Sequence, residues 1–318
     1  MTLPRHDDDA PAEVLIGDLR GAGSGTEEEG ASGRVSRGRV IWRRFRRDKV
    51  AVVALGFLVL LVLVAIFAPL VAPYPPNEQN LLIRLQRPSW DHLLGTDQFG
   101  RDQLSRLIFG ARTSLVASLE AVAIGVVFGV PLGLLAGYFG GWVNAVLDRL
   151  SDALMSVPGL VLALTVVAVL GPGLSNAMIA IGVILMPRFF RITRATTQEV
   201  REETFIEASR ALGCRPRRIL WKHIFPNTVS PVVVQSSLTL GTAILAEASL
   251  SFLGLGVRPP TASWGSMIFT ASSVFYTDSF LVVAPGVAIM LTVLAFSIVG
   301  DAARDAMGAG RDVVTGSA

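Results

Sequence analysis

The chain has 318 residues, of which 51% are hydrophobic and 17% are charged. Soluble domains carry about 25% charged residues, so this composition excludes a disordered or collagen-like chain and favours an integral membrane protein. The formal net charge is +3, from 28 basic and 25 acidic residues, and the one cysteine, Cys214, excludes a framework of internal disulfides.

Residues 1–38 are polar, acidic in two short runs and rich in Gly and Ser. So few apolar side chains cannot offset the entropy lost on ordering the chain, and we expect a disordered tail. The first long apolar stretch begins at Val50. It lies too far along the chain to be the apolar region of a secretory signal peptide.

Six apolar stretches are candidates for membrane-spanning helices. A helix rises about 1.5 Å per residue, so about 20 residues cross a hydrocarbon core of about 30 Å. In chain order the stretches are 50–72, 113–138, 154–171, 176–190, 228–252 and 279–300. The fourth is short and the fifth is interrupted by polar residues, so their ends are the least defined. The pattern predicts an all-α polytopic membrane protein with six transmembrane helices.

The basic residues favour one orientation of these helices. With the N-terminus inside, 22 of the 28 Lys and Arg residues fall in cytoplasmic segments and 6 in outer segments. Basic residues are enriched in the cytoplasmic loops of membrane proteins. The asymmetry predicts cytoplasmic N- and C-termini, and it explains the basic surplus without any binding of nucleic acid.

Four glycines in the second predicted span recur at a strict spacing of four residues: Gly125, Gly129, Gly133 and Gly137. This spacing places them on one helix face. Small residues at such a spacing let another helix approach closely. We therefore expect a helix-packing seam, formed either within this chain or with a second membrane subunit.

Two acidic residues fall inside predicted spans, where ionisable groups are costly and often functional. Glu120 lies near the outer end of its span, so snorkelling or exposure to a cavity is expected. Glu247 lies deeper and is a candidate pathway residue, although a hydrogen bond to a neighbouring helix is the equal alternative. The histidines His6, His92 and His223 lie in three separate segments, so no metal site is expected.

The predicted cytoplasmic loop at 188–227 carries the signals of two short helices. Thr204 and Glu207 fit a capping box at the start of the first helix. Gly213 suits the left-handed residue that follows a helix, and Pro216 suits the first turn of the second one.

Pro226 should end this second helix before the fifth span begins. The loop also carries a cluster of basic side chains: Arg210, Arg215, Arg217, Arg218 and Lys222. Charge and helix signals together indicate a docking platform on the inner face or a surface that lies on anionic lipid.

The same loop resembles the EAA signature, E-A-A-x3-G-x9-I-x-L-P, of permease subunits in binding-protein-dependent ABC importers. Four positions match it: Glu207, Ala208, Gly213 and Pro226. Three positions depart from it: Ser209, His223 and Phe225. In that family the loop forms coupling helices that sit in a groove of the cytoplasmic ATPase. The resemblance implies this ATPase-coupling role for Glu207, Ala208, Ser209, Gly213 and Pro226.

A second block is similar to the G-T-D-x-x-G-R-D-x-x-S-R block of permeases in dipeptide, oligopeptide and nickel importers, of the DppC and OppC type. Its members are Gly95, Asp97, Gly100, Arg101, Asp102, Ser105 and Arg106. The spacing predicts Asp97–Arg101 and Asp102–Arg106 pairs on a helix surface, worth about 0.3–0.5 kcal/mol each. We expect a folded outer segment, with direct substrate binding as the alternative.

These resemblances imply the fold of a type I ABC importer transmembrane domain, in the inner membrane of a bacterium. They imply four regions: a cytoplasmic tail at 1–38, a first membrane helix with an outer segment at 39–111, the permease core at 112–303 and a cytoplasmic tail at 304–318. The implied partners are a homologous second permease, one or two cytoplasmic ATP-binding subunits and an extracytoplasmic solute-binding protein.

The chain itself is not expected to hydrolyse ATP. A phosphate-binding loop needs a Gly-Lys-Ser/Thr sequence, and the two lysines, Lys49 and Lys222, follow Asp and Trp. ATP and Mg²⁺ should therefore be bound by partner subunits, and no cofactor by this chain.

Short peptides are the cargo that the resemblance implies, with nickel or another small solute as the alternative. A self-contained secondary transporter is the competing class, and it is disfavoured because few ionisable groups lie in the spans. A membrane enzyme is disfavoured because no catalytic constellation is present.

Overall fold

A computed structural model of the chain describes the backbone of residues 37–315 and the side chains of residues 41–308. The predicted tail at 1–38 lies almost entirely outside these residues. The described part contains twelve α-helices: α1 Arg37–Phe45, α2 Lys49–Ile66, α3 Ala68–Val71, α4 Gln103–Phe139, α5 Gly141–Ser156, α6 Gly159–Leu170, α7 Leu174–Arg201, α8 Thr204–Ala211, α9 Pro216–Arg218, α10 Phe225–Phe252, α11 Trp264–Ser272 and α12 Phe280–Thr315. A 3₁₀ turn at Leu81–Ile83 and a π-helical stretch at Ile219–Ile224 complete the helical elements of that part. The all-α prediction is confirmed.

Within the described residues, five helices are long and apolar enough to cross a membrane: Lys49–Ile66, Gln103–Phe139, Leu174–Arg201, Pro216–Phe252 and Phe280–Gly308. Within the same residues, α5 and α6 make a sixth crossing when the pair, which is bent by 92°, is counted as one span. The span predicted at 154–171 covers α6 and the end of α5, and it is broken at Pro158. Pro158 lies at the bend, and the preceding Val157 is extended because a proline disfavours helical geometry in the residue before it.

The predicted fourth span at 176–190 is too short, because α7 continues without a break to Arg201. Its inner half is polar in sequence but packed in space. Thr193, Thr196 and Thr197 are all buried, and the partner on that side is α4. Tertiary packing therefore sustains the helix past the point at which the apolar pattern ends.

Pro226 does not end a helix, contrary to the prediction. The π-helical stretch joins α9 to α10, so that Pro216–Phe252 is one continuous helix. Phe225 donates its backbone N–H to the carbonyl five residues earlier, and the side chain of Asn227 donates to the His223 carbonyl at 2.7 Å. The wider turn pairs the Phe225 N–H with Leu220, and the Asn227 amide supplies a donor one residue after the proline, so the helix continues through Pro226.

The glycine seam packs within the chain. All four glycines of α4 face α7, so of the two alternatives the structure shows the intrachain one. A β-carbon placed on Gly129 would lie 2.6 Å from the carbonyl oxygen of Met186, and one on Gly133 would lie 2.6 Å from that of Phe190. Such separations are below van der Waals contact, so this approach of two backbones requires glycine.

The predicted outer segments meet at one end of the helix bundle. Gln103 donates to the carbonyl of Leu281 at 3.0 Å, and Gly173, between α6 and α7, donates its N–H to the Leu255 carbonyl at 3.3 Å. The α4–α5 junction lies at the other end, beside Arg201. The bent pair of α5 and α6 therefore connects the two ends of the bundle.

Candidate functional site

The predicted coupling segment lies at the end of the bundle where α7 ends, and α8 is held there by one buried side chain. Ile206 has no exposed surface and belongs to the same apolar cluster as Val200, Ile219 and Ile224. The predicted coupling residues lie around this anchor. Ser209 is partly buried. The other four are exposed: Glu207, Ala208, Gly213 and Pro226.

The capping box predicted at the start of α8 is wrong. The N-cap is Glu203, whose backbone is extended, and no side chain accepts a capping hydrogen bond. The N–H groups of Ile206 and Glu207 donate instead to the Glu203 carbonyl, at 2.9 and 3.3 Å. Thr204 is already helical, so its hydroxyl lies one position too late to act as the cap. The other end matches the prediction, because Gly213 adopts a left-handed φ of 75°.

Two arginines contact the end of α4, Arg210 from α8 and Arg201 from the last residue of α7. The guanidinium of Arg210 lies over the ring of Tyr138, 5.4 Å from its centroid. Arg201 donates to the carbonyls of Gly137 and Tyr138 in the last turn of α4, at 3.4 and 3.3 Å. Cation–π attraction and a cation at a helix C-terminus both stabilise these contacts. Arg210 thus joins α8 to the end of α4, and Arg201 joins the ends of α7 and α4.

The surface around α8 combines exposed apolar and basic side chains. Phe205 is 45% exposed, Trp221 is 58% exposed and Leu212 is 84% exposed. Exposed arginines flank them: Arg210, Arg215, Arg217 and Arg218. Large apolar side chains that share a surface with charged ones are typical of a protein-docking site.

The outer block forms a buried ionic cluster rather than a helix surface. Asp97 accepts hydrogen bonds from Nε and Nη2 of Arg101, each at 2.7 Å. Arg106 Nε lies 3.7 Å from the same carboxylate oxygen. All three side chains are buried, and Asp97 and Arg101 precede α4. The predicted Asp97–Arg101 pair is confirmed, whereas its predicted position on a helix is wrong.

The predicted Asp102–Arg106 pair is also wrong, because Asp102 is the N-cap of α4. Its Oδ2 accepts from the backbone N–H and the hydroxyl of Ser105, at 2.8 and 2.7 Å. Its Oδ1 lies 2.9 Å from Nδ1 of His92. Aspartate is a preferred N-cap residue because it satisfies the free N–H groups of the first turn.

Arg106 instead connects the start of α4 to two other stretches of the chain. Its Nη1 donates to the carbonyl of Pro76 at 3.0 Å, to the side chain of Asn77 at 3.3 Å and to the carbonyl of Pro260 at 3.4 Å. Gly95 and Gly100 have left-handed φ values of 76° and 70°, and a β-carbon on either would overlap neighbouring backbone. The geometry of this block is that of a folded outer segment, and its charged groups already have partners.

Glu247 is completely buried. Its Oε1 accepts from the Ser251 hydroxyl at 2.7 Å, and its Oε2 accepts from the Ser114 hydroxyl at 3.0 Å. The Ser114 oxygen in turn accepts the backbone N–H of Trp264 at 3.2 Å. Of the two alternatives for Glu247, the structure shows the hydrogen-bonded one, which connects α4, α10 and α11. The other acidic candidate, Glu120, is partly buried on α4.

The described residues contain no group of three or more His, Cys, Asp or Glu side chains that would hold a metal ion. Three arginines that were predicted to lie in the 188–227 loop are instead part of a long helix. Arg188, Arg191 and Arg194 lie on α7, beside α5. The helical spacing of buried side chains beyond residue 190 was the signal for a longer helix.

Two family models match the sequence. The model described as a binding-protein-dependent transport system inner membrane component matches residues 129–311. The model of the N-terminal TM domain of oligopeptide transport permease C matches residues 36–88. Along the sequence, Asp97 and its ionic cluster lie between the two matched regions.

Several curated proteins are similar over most of their length. The glutathione transport system permease protein GsiD of Salmonella paratyphi A is 47% identical over 270 residues, which cover 85% of this chain and 89% of that protein. The protein of the same name from Shigella flexneri serotype 5b is 47% identical, with 84% and 88% covered. That of an Escherichia coli O6:K15:H31 strain is 45% identical, again with 84% and 88% covered.

Solved structures share the fold. Two crystal forms of the MetNI methionine ABC transporter, described as inward-facing conformations, align with TM-scores of 0.52 and 0.53 at 21% sequence identity. The alignments cover 63% and 64% of this chain, and 96% and 97% of the matched chains. The permease fold of a type I ABC importer is therefore present.

Proposed function

Because the chain belongs to the family of binding-protein-dependent transport system inner membrane components, we propose that it is the permease subunit through which an ABC importer carries short peptides of the glutathione class into the cell. The observation that carries this proposal is the 47% identity to a glutathione permease over 85% of the chain. Glutathione is a tripeptide, which agrees with the peptide cargo that the sequence motifs imply.

Energy for transport comes from separate subunits that bind ATP. The exposed face of α8, with Glu207 and Ala208 at its centre, is the surface on which such a subunit docks. The contact of Arg210 on α8 with Tyr138 at the end of α4 supports this role, because it would pass a movement of α8 on to α4. Switching between outward and inward access follows from that coupling.

The orientation proposed for the chain has both termini and α8 in the cytoplasm of a bacterium, with the chain in the inner membrane. It is supported by the excess of basic residues at the α8 end. The outer segments, with their buried ionic cluster, then face the solute-binding protein. A second, homologous permease completes the pathway on the other side.

The test is reconstitution of the chain in proteoliposomes with its ATP-binding subunits, second permease and solute-binding protein. We expect uptake of radiolabelled glutathione that requires ATP on the side of the membrane that carries the ATP-binding subunits. Uptake should stop when the solute-binding protein is omitted. The chain alone should show no uptake driven by an ion gradient. Gradient-driven uptake by the isolated chain would instead identify a secondary transporter.

A further inference from the structure

Arginines of α7 form a ladder against the acidic side of α5. Arg194 Nη1 lies 2.6 Å from Asp148 Oδ1, and Arg191 Nη2 lies 2.6 Å from Asp152 Oδ1. The arginines are spaced by three residues and the aspartates by four, so each row follows one face of its helix. Arg188 is the next arginine in the row.

No aspartate faces Arg188. The positions of α5 one turn beyond Asp152 are Met155 and Ser156, and the chain then bends by 92° into α6. Arg188 Nη1 contacts Oγ1 of Thr242 on α10 at 3.5 Å. In the part of the chain that the structure describes, its guanidinium is exposed and has no carboxylate partner, so most of its five N–H donors are available.

This contact lies near the middle of the bundle. Thr242 precedes the end of α10 at Phe252 by ten residues, which is about 15 Å along a helix that rises about 1.5 Å per residue. That distance is half of a hydrocarbon core of about 30 Å. Counted from that end of α10, Arg188 therefore lies within the thickness of a hydrocarbon core, in a segment that the sequence pattern assigned to the cytoplasm.

An exposed cation at this depth is strongly disfavoured against lipid, so it faces water or an anionic group. The Arg191–Asp152 and Arg194–Asp148 pairs each have no net charge. Arg188 thus contributes one net positive charge. A guanidinium binds a carboxylate through two parallel N–H···O bonds, and peptides carry carboxylates, of which glutathione has two.

We propose that Arg188 binds a carboxylate of the transported solute, on a water-filled face formed by α5, α7 and α10. The identity of the solute as a short peptide rests on the function proposed above. Asp152 holds Arg191 against α5, so Arg188 is the guanidinium of the ladder that is available to a passing anion.

The first test measures ATP-driven glutathione uptake by the complete reconstituted transporter, with loaded binding protein at saturation. We expect Arg188→Gln to lower the initial rate at least about tenfold, and Arg188→Lys to lower it less, because lysine keeps the charge but cannot form the two parallel hydrogen bonds. Arg304→Gln, which removes an exposed arginine from α12, is the matched control and should transport normally. An uptake rate for Arg188→Gln within twofold of the unmodified transporter overturns the proposal.

Assembly of the complex is measured in the same preparations. If Arg188→Gln lowers the recovery of the second permease as much as it lowers uptake, Arg188 pairs with that subunit and not with solute. Normal recovery together with lost uptake supports the proposal.

The second test does not depend on uptake. Cys214→Ala removes the one cysteine of the chain, and Thr242→Cys in that background introduces a thiol beside Arg188, whose Nη1 contacts Oγ1 of Thr242. In the assembled complex, a charged methanethiosulfonate reagent should modify this thiol, and S-methylglutathione should slow the modification several-fold as long as Arg188 is present. A thiol that does not react refutes a water-filled face, and one that reacts without protection, or that is protected equally when Arg188→Gln is added, refutes carboxylate binding by Arg188. If the transporter fails to import glutathione, the proposed cargo is wrong, and the reactivity of the thiol still decides whether this face is open to water.

Discussion

Ser114 on α4 donates its hydroxyl to Oε2 of Glu247 on α10 at 3.0 Å, and so joins helices that lie 133 residues apart in the chain. Glu247 has no surface exposed to water, so serine hydroxyls replace the hydration of its carboxylate. The same Ser114 oxygen accepts the N–H of Trp264, at the start of α11. Three helices are thus held together by one acidic side chain.

Removal of this side chain should destabilise the protein. We expect Glu247→Ala to cost about 2–4 kcal/mol, because it leaves two buried hydroxyls without an acceptor and opens a cavity. Glu247→Gln should cost about 1 kcal/mol or less, since an amide accepts one hydroxyl and donates to the other. Thermal unfolding of the purified complex in detergent measures both. If Glu247→Gln has an unchanged unfolding midpoint but abolishes uptake, transport requires the negative charge itself. Hydrogen bonding alone would then not explain the role of Glu247.

The glycine seam should be intolerant of a single methyl group. In Gly133→Ala the new β-carbon would lie 2.6 Å from the Phe190 carbonyl oxygen, so α4 and α7 must separate, at a cost of about 1–3 kcal/mol. Gly286→Ala in α12 is the control, because a β-carbon there meets no atom within 4 Å. Its thermal midpoint should be unchanged or slightly raised. Equal midpoints for the two variants would show that the seam has room to relax.

Asp97 should contribute more to the stability of the ionic cluster than the surface ion pair predicted from its spacing would. Asp97→Asn leaves Arg101 and Arg106 buried without a counter-ion, which costs about 3–5 kcal/mol. Asp91→Asn, at an exposed position in the same segment, should have almost no effect. Limited proteolysis of the outer segment in spheroplasts, compared at equal expression, measures the difference. Equal protease resistance of the two variants would contradict the structural role assigned to Asp97.

The exposed face of α8 should control binding of the ATP-binding subunit. We expect Glu207→Ala to weaken that binding by about tenfold, or 1.4 kcal/mol. Gly213→Ala should weaken it as well, because alanine is strained at a φ of 75°. Glu78→Ala removes an exposed carboxylate from an outer segment and serves as the control. Co-purification at graded concentrations of the ATP-binding subunit measures each affinity. Unchanged affinity for both α8 variants would place the docking surface elsewhere.

Composition and helical periodicity were sufficient to predict an all-α membrane bundle and a glycine seam, because both depend on patterns that repeat along one helix. The Asp97–Arg101 pair was also predicted, but from a helical spacing of four residues that the structure does not contain there, and the same spacing predicted the Asp102–Arg106 pair wrongly. The burial of the Asp97–Arg101 pair was not predicted, because that depends on the contact between Arg106 and Pro260, which are far apart in sequence.

The ends of α7 and α10 illustrate a second limit. Arg188 looked like the start of a loop because apolarity declines there, yet buried threonines pack the helix onward to Arg201. Pro226 looked like a stop because proline lacks an N–H, yet a π-turn and the Asn227 amide accommodate it. In each case tertiary contacts or a local change of helix type outweighed the local signal.

The glycine seam also determines how the bundle can deform. Along α4, Gly129, Gly133 and Gly137 each lie opposite a particular carbonyl of α7, so sliding by one position would press a larger side chain into that carbonyl. The two helices therefore move as a single rigid body. A change in access to the pathway must then be absorbed elsewhere, and the 92° bend between α5 and α6 offers a hinge for it.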